Sequence, residues 1–207
     1  MASHRVIKCL FLMLLTVSLF GCEHKVTLAP TISPSSFIAK KYPYKVAVVF
    51  SPEMQNLVVH AKPTNPIGPG FGHVYDYQVG NSLCQALLNS ADTAYNQVLQ
   101  ADLDLKEGEF DKVIKFTLVN SNLNIEFVGL VLPTAKGSYS LSLLMEAFDG
   151  QNLNLLQKAP ISGNGFVSQQ ADEFAAEKLF STAVEQGIQQ VSDNAANLLA
   201  SGFGEIR

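Results

Sequence analysis

Few residues in the chain have types and spacing suited to chemistry, and no set of them is complete. His60, His73 and Asp76 flank a Pro/Gly-rich stretch, and imidazole with carboxylate is a donor set that zinc accepts. Their spacing matches no metal motif and a further ligand is missing, so solvated loop histidines are the simpler reading and no metal is expected. Cys84 has no lysine, arginine or histidine beside it to stabilise a thiolate, and reads as a small buried hydrophobe rather than a nucleophile. Gly68-Pro69-Gly70-Phe71-Gly72 has the composition of a phosphate cradle. Pro69 removes an amide donor, however, the glycine spacing fits neither known fingerprint and no lysine follows. Gly137-Ser138 is half of the glycine-flanked serine turn of hydrolases. Glu107, Glu109 and Asp111 read as a solvated charge run rather than an acid/base pair. The expectation is a protein that is not an enzyme, with no catalytic residue and no cofactor.

Aromatic residues suggest contact instead. Tyr42, Tyr44, Phe71, Tyr75 and Tyr77 lie on either side of the first apolar strand in sequence. Aromatic side chains are enriched where partners bind, which makes Phe71, Tyr75 and Tyr77 the candidate partner-binding residues. Closing the edge of the core is the other reading of the same residues, and the sequence leaves both open.

One thiol stands apart. His4, Arg5 and Lys8 form a basic start, followed by an apolar run from Cys9 to Phe20 interrupted only by Thr16 and Ser18. A run of 12 residues is shorter than the roughly 20 that a spanning helix needs, so it reads as an export signal. It ends in Leu19-Phe20-Gly21-Cys22, which resembles the lipobox of bacterial lipoproteins, with Phe20 where a smaller residue is usual. In that family a small residue precedes a cysteine that is acylated before the signal is cut. The resemblance implies that Cys22 carries lipid and that residues 1–21 are a signal peptide. Each buried methylene contributes about 0.8 kcal/mol, so a multiply acylated cysteine anchors a protein without any spanning segment. Glu23 follows the cysteine where an aspartate would favour inner-membrane retention, which implies the outer membrane, periplasmic face.

The 207 residues carry a net charge of −4, with 47% hydrophobic and 15% charged residues, and that composition excludes a disordered polyelectrolyte. Removing residues 1–21 takes Arg5 and Lys8 from the 14 basic residues and none of the 18 acidic ones, leaving 12 against 18 and a net of −6. An acidic surface repels phosphate backbones, so nucleic acid is not an expected partner. With Cys9 removed and Cys22 acylated, Cys84 has no cysteine to pair with.

Residues 22–44, with Pro30, Pro34, Pro43 and a serine cluster, read as the lipidated N-terminus and a flexible tether, and residues 45–207 as a single domain. Val46-Ala47-Val48-Val49-Phe50 reads as a strand buried on both faces. Leu57-Val58-Val59 and His73 to Val79 read as short extended pieces. From Gly80 to about Gln100, Leu83, Leu87, Ala91, Ala94, Tyr95 and Val98 recur at helical spacing. Two half-buried strands follow, carrying Ile114, Phe116, Leu118 and then Leu123, Ile125, Phe127, with a hairpin expected near Asn120-Ser121-Asn122. Tyr139 to Ala147 alternates with Ser138, Ser140, Ser142 and Glu146, and a return strand ends near Val167. A long helix is expected from about Gln170 to Leu199, stopped by Gly202 and Gly204, with Gly187 marking a close approach to the sheet. The expected fold class is α+β: a mixed, largely antiparallel sheet of four to six strands with two long helices packed on it.

The lipobox at Cys22, the proline-bearing segment after it, the strand Val46–Phe50 and the helix opening at Gly80 together resemble small bacterial envelope lipoproteins, the YajG-like and transport-auxiliary lipoproteins among them. The resemblance implies a membrane-anchored, non-enzymatic accessory or structural component of an envelope assembly or transport system, with an envelope protein as partner. A periplasmic carrier of lipid or a small ligand is the alternative. An apolar pocket beside residues 63–72 would favour the carrier, and a filled core with an apolar patch at a sheet edge the partner-binding role.

Overall fold

The computed structural model describes residues 23–27, 41–64, 72–129, 133–171 and 173–205. In chain order the elements are β1 (Glu23–Thr27), β2 (Tyr42–Phe50), a short α1 (Pro52–Gln55), β3 (Val58–Ala61) and β4 (Val74–Gln78). There follow α2 (Gly80–Ala94), β5 (Tyr95–Ala101), β6 (Lys112–Val128), β7 (Thr134–Asp149), β8 (Leu155–Gln170) and α3 (Glu173–Ala200).

The expectation of one mixed sheet under two long helices does not hold. Strand is the dominant element among the described residues, and it is divided between a three-stranded sheet, β1-β4-β3, and a five-stranded sheet, β5-β2-β6-β7-β8. Among the described residues only α3, with 28 residues, is a long helix. The apolar spacing that carries a helix to Gln100 in sequence continues past its true end: α2 stops at Ala94, and Tyr95 adopts φ −122° and ψ 152° as the first residue of β5. Strand β2 explains the switch. Its Val46–Phe50 segment is buried, so its backbone groups need partners on both sides, and β5 and β6 supply them, both parallel to it.

The hairpin expected near Asn120 is absent as well. Strand β6 runs through those residues for 17 positions and is paired with β7 along its whole length. Leu118 faces Leu143 and Asn120 faces Ser142, which leaves Val119 as an extra residue in a bulge. The bulge moves the core-facing set from Ile114 and Phe116 to Leu123, Ile125 and Phe127 without turning the chain. Residues 23–27, read as tether, form β1 and pair in parallel with β4 from Glu23↔Val74 to Thr27↔Gln78.

The expected strand from Tyr139 to Ala147, the return strand after it and the long last helix are all present. Tyr139, Leu141, Leu143, Met145 and Ala147 are buried while Ser138, Ser140 and Ser142 point away. Pro160 sits in edge strand β8, where its missing N–H disrupts no ladder on the outer side. Helix α3 lies on β7 and β8, with α2 beside it, and one continuous core joins both sheets and both helices. Each large apolar side chain buried there contributes roughly 2 kcal/mol. The helix comes very close to the sheet: a Cβ on Gly165 of β8 would overlap the Ala183 carbonyl oxygen, and one on Gly187 would meet the Tyr139 ring of β7 at 2.5 Å.

Candidate functional site

The structure brings together only one of the chemistry-bearing sets read from sequence. His60 on β3 faces Asp76 on β4 in register, and His60 Nδ1 lies 2.7 Å from Asp76 Oδ1. His73 instead stacks against Tyr75, with ring centroids 6.3 Å apart. No group of three or more His, Cys, Asp or Glu that would hold a metal exists among the described residues. Cys84 is buried on α2, and burial pushes its thiol pKa up to about 12, which keeps the sulfur protonated and inert at neutral pH. Ser138 lies within strand β7 rather than on a sharp turn. Asp111 holds structure: its carboxylate accepts the Lys45 N–H at 2.7 Å, and its own N–H donates to the Lys45 carbonyl at 2.9 Å.

Tyr75 and Tyr77, two of the candidate partner-binding residues, are 0% exposed. Tyr75 packs edge-on against Phe180 at 5.7 Å, and the Tyr77 hydroxyl donates to the Glu177 carbonyl at 3.2 Å. Desolvation raises the Tyr77 hydroxyl pKa above the usual tyrosine range. Of the two readings of these rings, burial favours the core. Phe71 and Cys22 lie outside the described residues.

Strand register assembles a surface that no single stretch of sequence contains. On the face of the five-stranded sheet turned away from the helices, Leu99 pairs with Ala47, Ala47 with Val113, Val113 with Phe148 and Phe148 with Leu155. These pairings draw one apolar row across all five strands. Its middle is covered: Ala47, Val49, Phe110 and Val113 form a small second core, with Leu105, Phe148 and Leu153 against it. Its ends are open, Leu99 at 51% and Leu155 at 48% exposure. A groove of about 190 Å³ lined by Val49, Leu103, Leu105, Val113, Phe148 and Leu153, with Lys115 as its one charged residue, lies along the row, below the roughly 300–1,000 Å³ of drug-sized ligand pockets. Leu103 is exposed beside it, and β5 pairs with β2 on one side and with no strand on the other among the described residues. In sequence Leu153 and Leu155 read as the start of the return strand, and only Leu99, Leu103 and Leu105 stood outside the helical and strand patterns.

Farther along the same face the character changes to short polar side chains, with rows Asn120-Ser142-Ser162 and Asn122-Ser140-Asn164. On the opposite edge of the sheet, residues 162–166 of β8 are capped by α3. The Phe166 N–H donates to Gln186 Oε1 at 3.0 Å, the Asn164 N–H to Gln190 Oε1 at 2.6 Å, and Asn194 Nδ2 donates to the Ser162 carbonyl at 2.8 Å. Four helical residues rise about 6 Å and two strand residues about 6.6 Å, so the side chains of one helical stripe match the strand step by step. Strand β5 has no strand on its outer side among the described residues, which leaves that side for another chain.

No family model and no curated protein matches the sequence. Among solved structures, a Xanthomonas campestris protein of family DUF330 superposes with a TM-score of 0.52 over 86% of this chain and 96% of that one, at 11% identity. That likeness shows a shared fold. A minor lipoprotein from Acinetobacter baumannii superposes more loosely, with a TM-score of 0.43 over 79% of this chain and 95% of that one, at 6% identity. Among the described residues no helix is long and apolar enough to cross a membrane.

Proposed function

We propose that the protein is a lipid-anchored envelope component, held at the periplasmic face of the outer membrane by Cys22, which works without catalysis by binding another envelope protein along β5 and the apolar row beside it. The observation that carries this reading is the open β5 edge flanked by exposed Leu99 and Leu103, over a filled core. An incoming extended segment there satisfies its backbone against β5 while its side chains cover Leu99, which is how strand addition combines affinity with selectivity. A carrier would need room between sheet and helices, and Tyr75, Tyr77, Phe127, Tyr139 and Phe180 occupy that interface at full burial. The lipobox residues support anchoring, and the YajG-like kind of accessory lipoprotein is the finer form of the same proposal.

The test isolates the native protein from detergent-solubilised envelopes beside a Leu99→Asp variant, with intact-mass measurement of both. The reading expects a partner that co-isolates with the wild type and is lost from Leu99→Asp, and a Cys22 that carries acyl chains. Recovery of the protein alone with a stoichiometric lipid or small molecule would move the assignment to a carrier.

A further inference from the structure

We propose that the domain rests directly on the bilayer by the Val128 end of its long sheet, with the apolar row held at the far end, instead of hanging from a tether. This rests on the reading of Cys22 as the lipid-bearing residue. The decisive fact is how little chain separates the anchor from the fold. Strand β1 begins at Glu23, the residue after Cys22, and its pairing with β4 runs through all five of its residues. One residue spans at most about 3.6 Å, so acyl chains on Cys22 bring the start of β1 to the headgroup layer. The proline-bearing residues expected to lead from membrane to domain come after β1 in sequence and add nothing to this reach.

Register fixes which end of the molecule that is. Glu23 lies beside Val74 at the start of β4, and Tyr75 faces Ala61 at the end of β3. The chain then bridges from Pro63 to Ile125 of β6, where the Thr64 N–H donates to the Ile125 carbonyl at 3.1 Å. From the other side, Tyr75 and Phe127 both pack on Phe180, at 5.7 and 5.8 Å. The start of β1 thus sits at the Phe127–Val128 end of β6, where the Val128 side chain is 42% exposed. Strand β6 has 17 residues, which places Lys112 about 50 Å away at the other end. There the connector carrying Asp102, Asp104, Glu107, Glu109 and Asp111 is tied to Gly150, with the Gly108 N–H donating to the Gly150 carbonyl at 2.7 Å. Five carboxylates are suited to water and ill suited to lipid. The row from Leu99 to Leu155 crosses at Val113, so it faces outward, well clear of the membrane that anchors the chain.

The chain contains no tryptophan, so a single introduced indole reports its own depth. Val128→Trp and Leu155→Trp are prepared as the full, membrane-isolated protein and reconstituted in phosphatidylcholine vesicles with acyl chains brominated just below the headgroup. Thr134→Trp, in register with Val128, serves as a second probe of the near end should Val128→Trp fail to fold. The expected result is that a near-end indole loses most of its emission relative to unbrominated vesicles while Leu155→Trp keeps its emission. Equal quenching at both ends, or none at the near end, in a sample whose mass shows an acylated Cys22 overturns the orientation and leaves the anchoring intact. An unmodified Cys22 overturns both.

Discussion

Lys112 Nζ donates to Glu205 Oε1 at 2.6 Å from a side chain only 7% exposed, which ties the start of β6 to the segment beyond α3. The same ammonium donates to the Gly204 carbonyl at 2.9 Å and lies 4.5 Å from the centre of the Tyr44 ring. The Tyr44 hydroxyl donates to Glu205 Oε2 at 3.2 Å, and that carboxylate is the chief cause raising the Tyr44 pKa. The two partners are not equivalent, because Glu205 is 24% exposed and Lys112 is nearly sealed. Removing the partner of a sealed charge is the costlier change, so Glu205→Ala should destabilise by about 2 kcal/mol and Lys112→Met by less. Urea unfolding of the two variants ranks them. A larger loss in Lys112→Met would mean that the carboxylate, not the ammonium, is the group left stranded.

Gly187 should resist replacement even though it lies inside a helix. Alanine there gains about 1 kcal/mol in helix propensity. Its Cβ would stand 2.5 Å from Tyr139 Cδ1, however, and that ring is fully buried, with its hydroxyl 2.9 Å from Ser121 Oγ. Overpacking against a fixed ring costs about 1–3 kcal/mol, so Gly187→Ala should be destabilising overall. Thermal unfolding decides the sign: a raised melting temperature would show that the ring yields.

The caps on the β8 edge make a prediction about local rather than global stability. Gln186→Ala with Gln190→Ala removes the acceptors of the Phe166 and Asn164 amides, both on exposed residues that water can reach. The loss in folding free energy should be no more than about 1 kcal/mol per bond. Hydrogen exchange at those two amides should nevertheless accelerate while the amides of β7 stay protected. Unchanged exchange in the double variant would mean that the glutamines do not guard the edge.

Deleting Val119 should be tolerated. Asn120 and Ser121 already face Ser142 and Leu141, so loss of the bulged residue closes the ladder without moving Leu123, Ile125 or Phe127 off the core face. Near-native circular dichroism and a cooperative melt are expected, and an unfolded product would show that the bulge itself sustains the strand's curvature. The same residues explain what was legible in sequence. The change from even-numbered to odd-numbered core positions across Val119 is plain in the pattern, and polar Asn120-Ser121-Asn122 makes a turn the natural explanation. A turn and a bulge shift the phase alike, and only pairing with β7 separates them. Strand β7 and helix α3 were readable because their periods run unbroken. Strand β5 was not, since Tyr95 and Val98 extend the stripe of α2 by chance of spacing. The row from Leu99 to Leu155 draws one residue from each of five strands, so no local window contains it.

The single free thiol among the described residues supplies a pH test. Cys84 is held on α2 with burial raising its pKa to about 12. A thiol whose folded pKa lies above its unfolded value favours the fold while protonated, and that contribution is lost as pH rises through the folded value. Between pH 7 and 8 the native thiolate fraction is negligible, so an aromatic disulfide reagent should react with Cys84 only as fast as the protein opens, and far faster in denaturant. Cys84→Ala should remove the slow phase and lower stability by about 1 kcal/mol for the lost buried volume. Rapid, stoichiometric labelling of the native protein at pH 7 by a reagent that leaves Cys84→Ala untouched would place the sulfur at the surface and contradict its burial on α2.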